Sequence, residues 1–182
     1  MTFFIETKNL ILREIRISDE EGIYRLDSNE QVHKYLGKNP ISTREEAKNI
    51  ISFIRSQYEE RGIGRFATVE KSSGEFIGWS GLKLNKDEKE QLNGHVNFID
   101  IGYRLIPKFW GKGYATESSL ACLEYGFNHL NYETIYGAAD VENIASNKVL
   151  QKIGLHFINE FTWKETQTLV NWYELKKEHY GA

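Results

Sequence analysis

The sequence predicts a single domain of the α+β class. Alternating apolar and polar residues, typical of strands, occur both before and after a central run predicted as strand, helix, strand and helix. The 182 residues suffice for one domain, spanning 1–182, with a buried core, and no repeat, linker or low-complexity stretch divides them. This order of elements favours helices that pack on a mixed sheet.

The first third of the chain is predicted to hold one strand followed by helices. Residues 10–16 alternate apolar and charged side chains, as a strand does. Ser18, with Glu21 three residues later, has the pattern of a helix N-cap and capping box. After a short helix or turn, Ser42 or Thr43 is predicted to cap a longer helix.

The rest of the chain is predicted to supply six more strands and two helices, which gives seven strands in total. One helix covers about 115–127, and another begins at Asp140 or Asn143 and ends at Gly154. The predicted strands are 66–69, 76–84, 98–105, 134–138, 156–164 and 168–176.

Composition narrows the class of function. The net charge of −3 argues against direct nucleic-acid binding, and no apolar run is long enough for a membrane helix. Cys122 is the only cysteine, so we expect a buried small side chain in a reducing, cytoplasmic protein. The five histidines have no metal-ligand spacing, and no metal site is expected.

A glycine turn between the central strand and its helix predicts an anion site. Gly111 and Gly113 flank Lys112, and the first N–H groups of a helix have no partner within it. A pyrophosphate is the predicted ligand, although a tight turn that needs glycine only for its backbone angles is the alternative. A P-loop is excluded, because it needs Lys after its last glycine and Tyr114 follows Gly113 here. The dinucleotide-binding fingerprint matches poorly, because Thr116 occupies the position of its third glycine.

Two segments resemble a known family. Residues 110–115, WGKGYA, resemble the Gln/Arg-x-x-Gly-x-Gly/Ala signature with which GNAT-superfamily N-acetyltransferases bind the pyrophosphate of acetyl-CoA, although Trp110 replaces Gln or Arg. The run from Asn143 to Leu155 is similar to the motif that follows in that family. Residues 11–26 and 100–117 are similar to the RimJ/RimL type, which acetylates the N-terminal amine of ribosomal proteins.

The resemblance implies a fold and a reaction. The fold is a mostly antiparallel sheet of about seven strands with helices on both faces, splayed into a V at the fourth and fifth strands. The reaction is direct acetyl transfer from acetyl-CoA to a primary amine, with no metal and no covalent enzyme intermediate. The implied acceptor is the N-terminus of a ribosomal protein, and homodimerisation is left open.

The resemblance also assigns the groups that hold acetyl-CoA. Main-chain groups of the turn bind the diphosphate, an N–H of the central strand polarises the thioester carbonyl, and two asparagines contact or orient the cofactor. The predicted cofactor-binding residues are Ile101, Tyr103, Leu105, Trp110, Gly111, Lys112, Gly113, Tyr114, Ala115, Thr116, Asn143 and Asn147. Capping of the following helix is the alternative role for Asn143.

Two residues are predicted to move protons. Asp100 occupies the position at which RimL-type enzymes carry an acidic residue, and a carboxylate among strand residues is costly unless it is paired or protonated. It is the predicted base, with a structural ion pair or a solvent-facing charge as the alternative. Ser146 is the predicted acid for the CoA thiolate, with a purely structural position in the helix as the alternative. The tyrosine that many relatives use for this step is replaced here by Leu150.

The acceptor side carries the least sequence signal. Tyr35 and Trp79 are predicted to line the substrate wall, with core packing as the alternative for Trp79. A polyamine, an aminoglycoside or an amino-acid-like toxin is an alternative acceptor. A domain that binds acyl-CoA without catalysis is the alternative outside enzymes.

Overall fold

A computed structural model describes residues 3–181, which contain one eight-stranded sheet in the order β1-β2-β3-β4-β5-β6-β8-β7. Every neighbouring pair is antiparallel except β5 and β6. The mostly antiparallel sheet confirms the predicted α+β class. The strands are β1 Phe4–Glu6, β2 Leu10–Glu14, β3 Arg65–Glu70, β4 Phe76–Asn85, β5 Phe98–Leu105, β6 Thr134–Asp140, β7 His156–Thr162 and β8 Leu169–Lys176.

Five α-helices accompany the sheet in the described residues. They are α1 Glu20–Asp27, α2 Glu30–His33, α3 Arg44–Arg61, α4 Tyr114–Glu124 and α5 Ile144–Lys152. Helix α3 begins with a capping box between Thr43 and Glu46 and ends at Gly62, whose φ is 71°. The predicted Thr43 cap is therefore confirmed.

Two details of the N-terminal region differ from the sequence prediction. The edge strand β1 has only three residues and was not predicted, so the sheet has eight strands instead of seven. The prediction of Ser18 as the N-cap of α1 is wrong. The Asp19 carboxylate accepts from the Arg16 N–H at 2.8 Å and pairs with Arg13 at 2.7 Å, and α1 starts after it. A buried ion pair thus decides where the helix begins.

The helices lie on both faces of the sheet, as predicted. Neighbouring residues of a strand point to opposite faces. In β5, Arg104 pairs with Asp27 of α1, whereas the Tyr103 hydroxyl reaches Ser146 of α5. In β4, Ser80 lies 3.9 Å from Cys122 of α4. Cys122 is 1% exposed, which confirms its predicted burial.

The sheet opens between β5 and β6. These parallel strands pair at one position, Asp100 opposite Tyr136, whereas β4 and β5 pair continuously from Gly78 opposite Leu105 to Asn85 opposite Phe98. Beyond Asp100, β5 therefore leaves β6 while it stays bonded to β4. Counted from β2, these are the fourth and fifth strands, where the splay was predicted.

Candidate active site

The glycine turn at the end of β5 is open to solvent. Gly111 has φ 75° and Gly113 has φ 83°, which are left-handed angles that favour glycine. A Cβ built at either position meets no atom within 4 Å. The glycines therefore supply unusual backbone angles, and they also leave the main chain uncovered.

The main chain of this turn presents a row of N–H groups. The first backbone bond that enters α4 runs from Glu117 N to Gly113 O at 2.9 Å. Within the described chain, the N–H groups of residues 111–116 donate to no acceptor. Together with the dipole of the eleven-residue helix α4, they form a site suited to a diphosphate.

Side chains hold the turn in place from its two sides. Trp110, at the position where the signature has Gln or Arg, donates from Nε1 to the Leu105 carbonyl at 2.7 Å. Lys112 lies over the rings of Phe109 and Tyr114, with Nζ 5.0 and 5.8 Å from their centroids. These contacts anchor the turn to the end of β5.

Glu70 reaches the turn from the end of β3. It accepts from the Tyr114 hydroxyl at 2.7 Å and lies 3.8 Å from Lys112 Nζ. Hydrogen bonds from Tyr114 and Ser73 hold the pKa of Glu70 below its usual value. The charge of Lys112 is therefore partly balanced within the protein.

Strand β5 directs main-chain donors into the gap beside β6. Ile106 donates its N–H to Ile77 of β4 at 2.9 Å. Because N–H groups alternate along a strand, those of Tyr103 and Leu105 point the opposite way, toward the gap. Ile101 lies next to the single bridge to β6. Tyr103 and Leu105 can thus donate to a carbonyl in the gap.

Two hydroxyl groups meet beside this gap. The Tyr103 hydroxyl lies 2.9 Å from Ser146 Oγ and 3.0 Å from the Ser146 carbonyl. Burial raises the pKa of the Tyr103 phenol well above its usual value. The role predicted for Tyr103 concerned only its main chain, and no local pattern indicated that its side chain would reach α5.

The two asparagines of α5 have structural bonds of their own. Asn143 caps the helix by accepting from Ser146 N at 3.1 Å. Asn147 donates to the carbonyls of Asp140 and Asn143, both at 2.9 Å, and accepts from Asn171 and Tyr173. Capping by Asn143 is confirmed, while contact of either residue with the cofactor stays a prediction.

Asp100 lies on the opposite face in a structural ion pair. Its Oδ2 accepts from Arg65 Nη2 at 2.5 Å, and its Oδ1 accepts from Asn85 Nδ2 at 2.7 Å. The Arg65 side chain crosses Gly102, where an added Cβ would lie 2.8 Å from Nη2. Both carboxylate oxygens are engaged, so a role for Asp100 as base stays a prediction.

The remaining polar residues of this face extend from Trp79 to α2. Guanidinium groups of Arg65 and Arg104 lie 5.5 and 5.1 Å from the Trp79 ring. Arg104 pairs with Asp27, which is 1% exposed. His33 lies beside Asp27 and lines a cavity of about 400 Å³. No sequence pattern indicated Arg104, Asp27 or His33, because Arg104 lies 77 residues from Asp27 in the chain.

Tyr35, the other residue predicted for the substrate wall, directly follows this region. Its ring lies 4.9 Å from Lys34 Nζ, and the side chain is half-buried. Lys34 lines the same cavity. Tyr35 is therefore close to the cavity, and its contact with an acceptor stays a prediction.

Comparison with known proteins identifies the family. A family model described as the acetyltransferase (GNAT) domain matches residues 9–156. The uncharacterized N-acetyltransferase YoaA of Bacillus subtilis (strain 168) is 31% identical over 150 residues, which cover 82% of this chain and 81% of YoaA. The chain belongs to the GNAT family of acetyltransferases. It is therefore an acyltransferase that uses acetyl-CoA to acetylate an amine.

Solved structures share the GNAT fold over nearly the whole chain. A GNAT-family acetyltransferase from Bacillus anthracis has a TM-score of 0.78 at 24% identity and covers 97% of this chain and 99% of its own. A ribosomal-protein-S5-alanine acetyltransferase from Vibrio fischeri has a TM-score of 0.76 at 17% identity, and the match covers 99% of this chain and 100% of that protein. A spermidine N-acetyltransferase from Vibrio cholerae, solved with CoA and spermine, has a TM-score of 0.75 at 20% identity, and the match covers 96% of this chain and 99% of that protein.

In residues 3–181, no group of three His, Cys, Asp or Glu side chains is arranged to hold a metal ion. None of the helices described is long and apolar enough to span a membrane.

Proposed function

We propose that this enzyme transfers the acetyl group of acetyl-CoA to the N-terminal α-amine of a protein, with ribosomal proteins as the first class to test. The charge of the cavity beside α2 carries this choice. One acidic residue, Glu30, and two basic residues, Lys34 and Lys38, line it. Such a lining suits an amine on a neutral or mixed-charge chain and repels a polycation.

The residues around the gap suit direct transfer. N–H groups of residues 111–116 hold the diphosphate, and those of Tyr103 and Leu105 donate to the thioester carbonyl as it gains negative charge. The amine nitrogen bonds to the carbonyl carbon, and the carbon–sulfur bond breaks. The acetylated nitrogen releases its extra proton to water, and Ser146, hydrogen-bonded to Tyr103, passes a proton from water to the leaving thiolate.

A small-molecule amine is the second candidate acceptor. The likeness to a spermidine N-acetyltransferase supports it. Two lysines in the cavity oppose it, because spermidine carries several positive charges. The charge of the acceptor should therefore decide the preference, and acceptors of different charge can test it.

The experiment is turnover with acetyl-CoA against N-terminal peptides of ribosomal proteins and against spermidine. Free thiol release measures the rate, and mass spectrometry locates the acetyl group. We expect a higher kcat/KM for a peptide, with the label on its α-amine. Faster acetylation of spermidine would replace the proposed acceptor, and no thiol release with any amine would favour a non-catalytic acyl-CoA-binding domain.

A further inference from the structure

His33 is a buried histidine that contacts the cavity proposed for the acceptor. It is 7% exposed, and it lies at the end of the short helix α2. Neither ring nitrogen has a well-formed hydrogen bond to another described residue. Nε2 faces Asp27 Oδ1 at 3.5 Å, whereas Nδ1 is buried without a partner. A buried polar atom without a partner costs stability, so its position at the cavity points to a ligand.

The charges that face His33 come from two other elements. From α1, Asp27 Oδ1 lies 3.5 Å from Nε2, and from β5, Arg104 pairs with the same carboxylate. Glu30, Lys34 and Lys38 line the cavity around it. The carboxylate favours a proton on Nε2, which leaves the lone pair on Nδ1.

The same contacts connect His33 to the reaction gap. Arg104 lies in β5 between Tyr103 and Leu105, the two residues whose N–H groups point into the gap. The chain of contacts from His33 through Asp27 to Arg104 therefore ends on the strand that polarises the thioester.

We propose that His33 is the base that deprotonates the acceptor amine, with Asp27 as its positioning residue, in place of Asp100. This inference rests on the proposed function. Neutral His33 takes a proton from the acceptor ammonium, and the freed lone pair of the amine attacks the carbonyl carbon. The imidazolium that forms is stabilised by Asp27 and returns its proton to solvent.

The protonation state of His33 suits this task. Burial, followed by the charge of Arg104, lowers the pKa of His33 below its ordinary value of 6.5, although Asp27 opposes the shift. The neutral, basic form therefore persists as the pH falls toward 6.5. Activity should decline only as the pH drops through this lowered pKa, whereas a peptide α-amine titrates near 8.

The test compares His33→Gln with His179→Gln, an exposed histidine far along the chain that serves as the matched control. With acetyl-CoA and an N-terminal peptide, we expect His33→Gln to lower kcat/KM by about 100-fold or more. The inflection of the pH profile below 6.5 should disappear, while calorimetry gives an unchanged Kd for acetyl-CoA. His179→Gln should behave as the wild type.

Other results would overturn the inference. A His33→Gln rate within about threefold of wild type, with the inflection retained, would exclude His33 as the base. A loss of acetyl-CoA binding in His33→Gln would show that His33 is structural. Imidazole should restore turnover to His33→Ala that still binds acetyl-CoA, and its failure to do so would count against the proposal. A wild-type protein that acetylates no amine would instead refute the proposed function, and this inference with it.

Discussion

The two faces of the sheet contribute different chemical groups to the proposed site, main-chain groups on one face and charged side chains on the other. On the α4 and α5 face, the proposed acetyl-CoA side consists of main-chain N–H groups around two open glycines, together with a pair of hydroxyls. On the α1 and α2 face, the proposed acceptor side consists of charged or titratable side chains that are buried in α1 and α2 and half-buried in β3 and β5. Acetyl-CoA is the substrate common to the family, whereas the acceptor amine varies. The acetyl-CoA site can therefore be built from backbone groups, while the acceptor site is built from side chains.

Gly113→Val should have the largest effect, because it places a branched side chain where an open backbone with φ 83° is required. Loss of two hydrogen bonds to a charged diphosphate costs about 4 kcal/mol, which corresponds to about a 1,000-fold weaker Kd for acetyl-CoA. Isothermal calorimetry measures this change.

Gly94→Val is the matched control, since Gly94 has φ 80° and equally open surroundings in a loop away from the turn. It should strain the backbone similarly and leave acetyl-CoA affinity unchanged. Equal loss of affinity in both variants, or none in Gly113→Val, would place the diphosphate elsewhere.

Arg104→Met should show that the stability of the proposed acceptor side depends on the ion pair between Arg104 and Asp27. It leaves the Asp27 carboxylate, 1% exposed, without its guanidinium partner. The free energy of unfolding should fall by about 3 kcal/mol, measured by urea denaturation. Arg25→Met removes a pair with Glu75 in which both side chains are more exposed, and it should cost less than about 1 kcal/mol. Similar losses in both variants would refute the difference.

Asp100→Asn should lower turnover at neutral pH by about tenfold through loss of the Arg65 contact, with acetyl-CoA binding intact. Gly102→Ala displaces the Arg65 guanidinium without changing any charge, and it should reproduce part of this loss. Both variants should keep the low-pH inflection assigned to His33. Unchanged activity of Asp100→Asn across the pH range would remove Asp100 from the mechanism, and loss of the inflection would make it the base.

Removal of the hydroxyls should have the smallest effect, because a thiolate with a pKa near 8.5 needs little help to leave. We expect Ser146→Ala and Tyr103→Phe each to lower kcat several-fold. Because the two groups are hydrogen-bonded, the double variant should lose about as much as the worse single variant. Fully multiplicative losses in steady-state kinetics would mean that they act independently.

The sequence could predict what is encoded locally. Gly111 and Gly113 lie within one turn of each other, and Thr43 and Glu46 form a box within one helical turn. The mostly antiparallel sheet and its splay followed from family resemblance. These features depend on neighbours in the chain, or on a motif of a few residues.

The acceptor side could not be predicted in this way. Asp27, His33 and Arg104 meet only because α1 and α2 pack across β5, and no spacing in the sequence records that contact. The engagement of Asp100 depends on Arg65, which lies 35 residues away. The choice of a ribosomal acceptor, the cytoplasmic location and homodimerisation stay predictions for the same reason, since each depends on surfaces and partners.

A crystal structure of the enzyme with CoA tests the main-chain cradle most directly. We predict that the diphosphate oxygens accept hydrogen bonds from N–H groups of residues 111–116, with the sulfur in the gap beside Tyr103 and Ser146. A diphosphate bound to any other part of the chain would contradict this assignment.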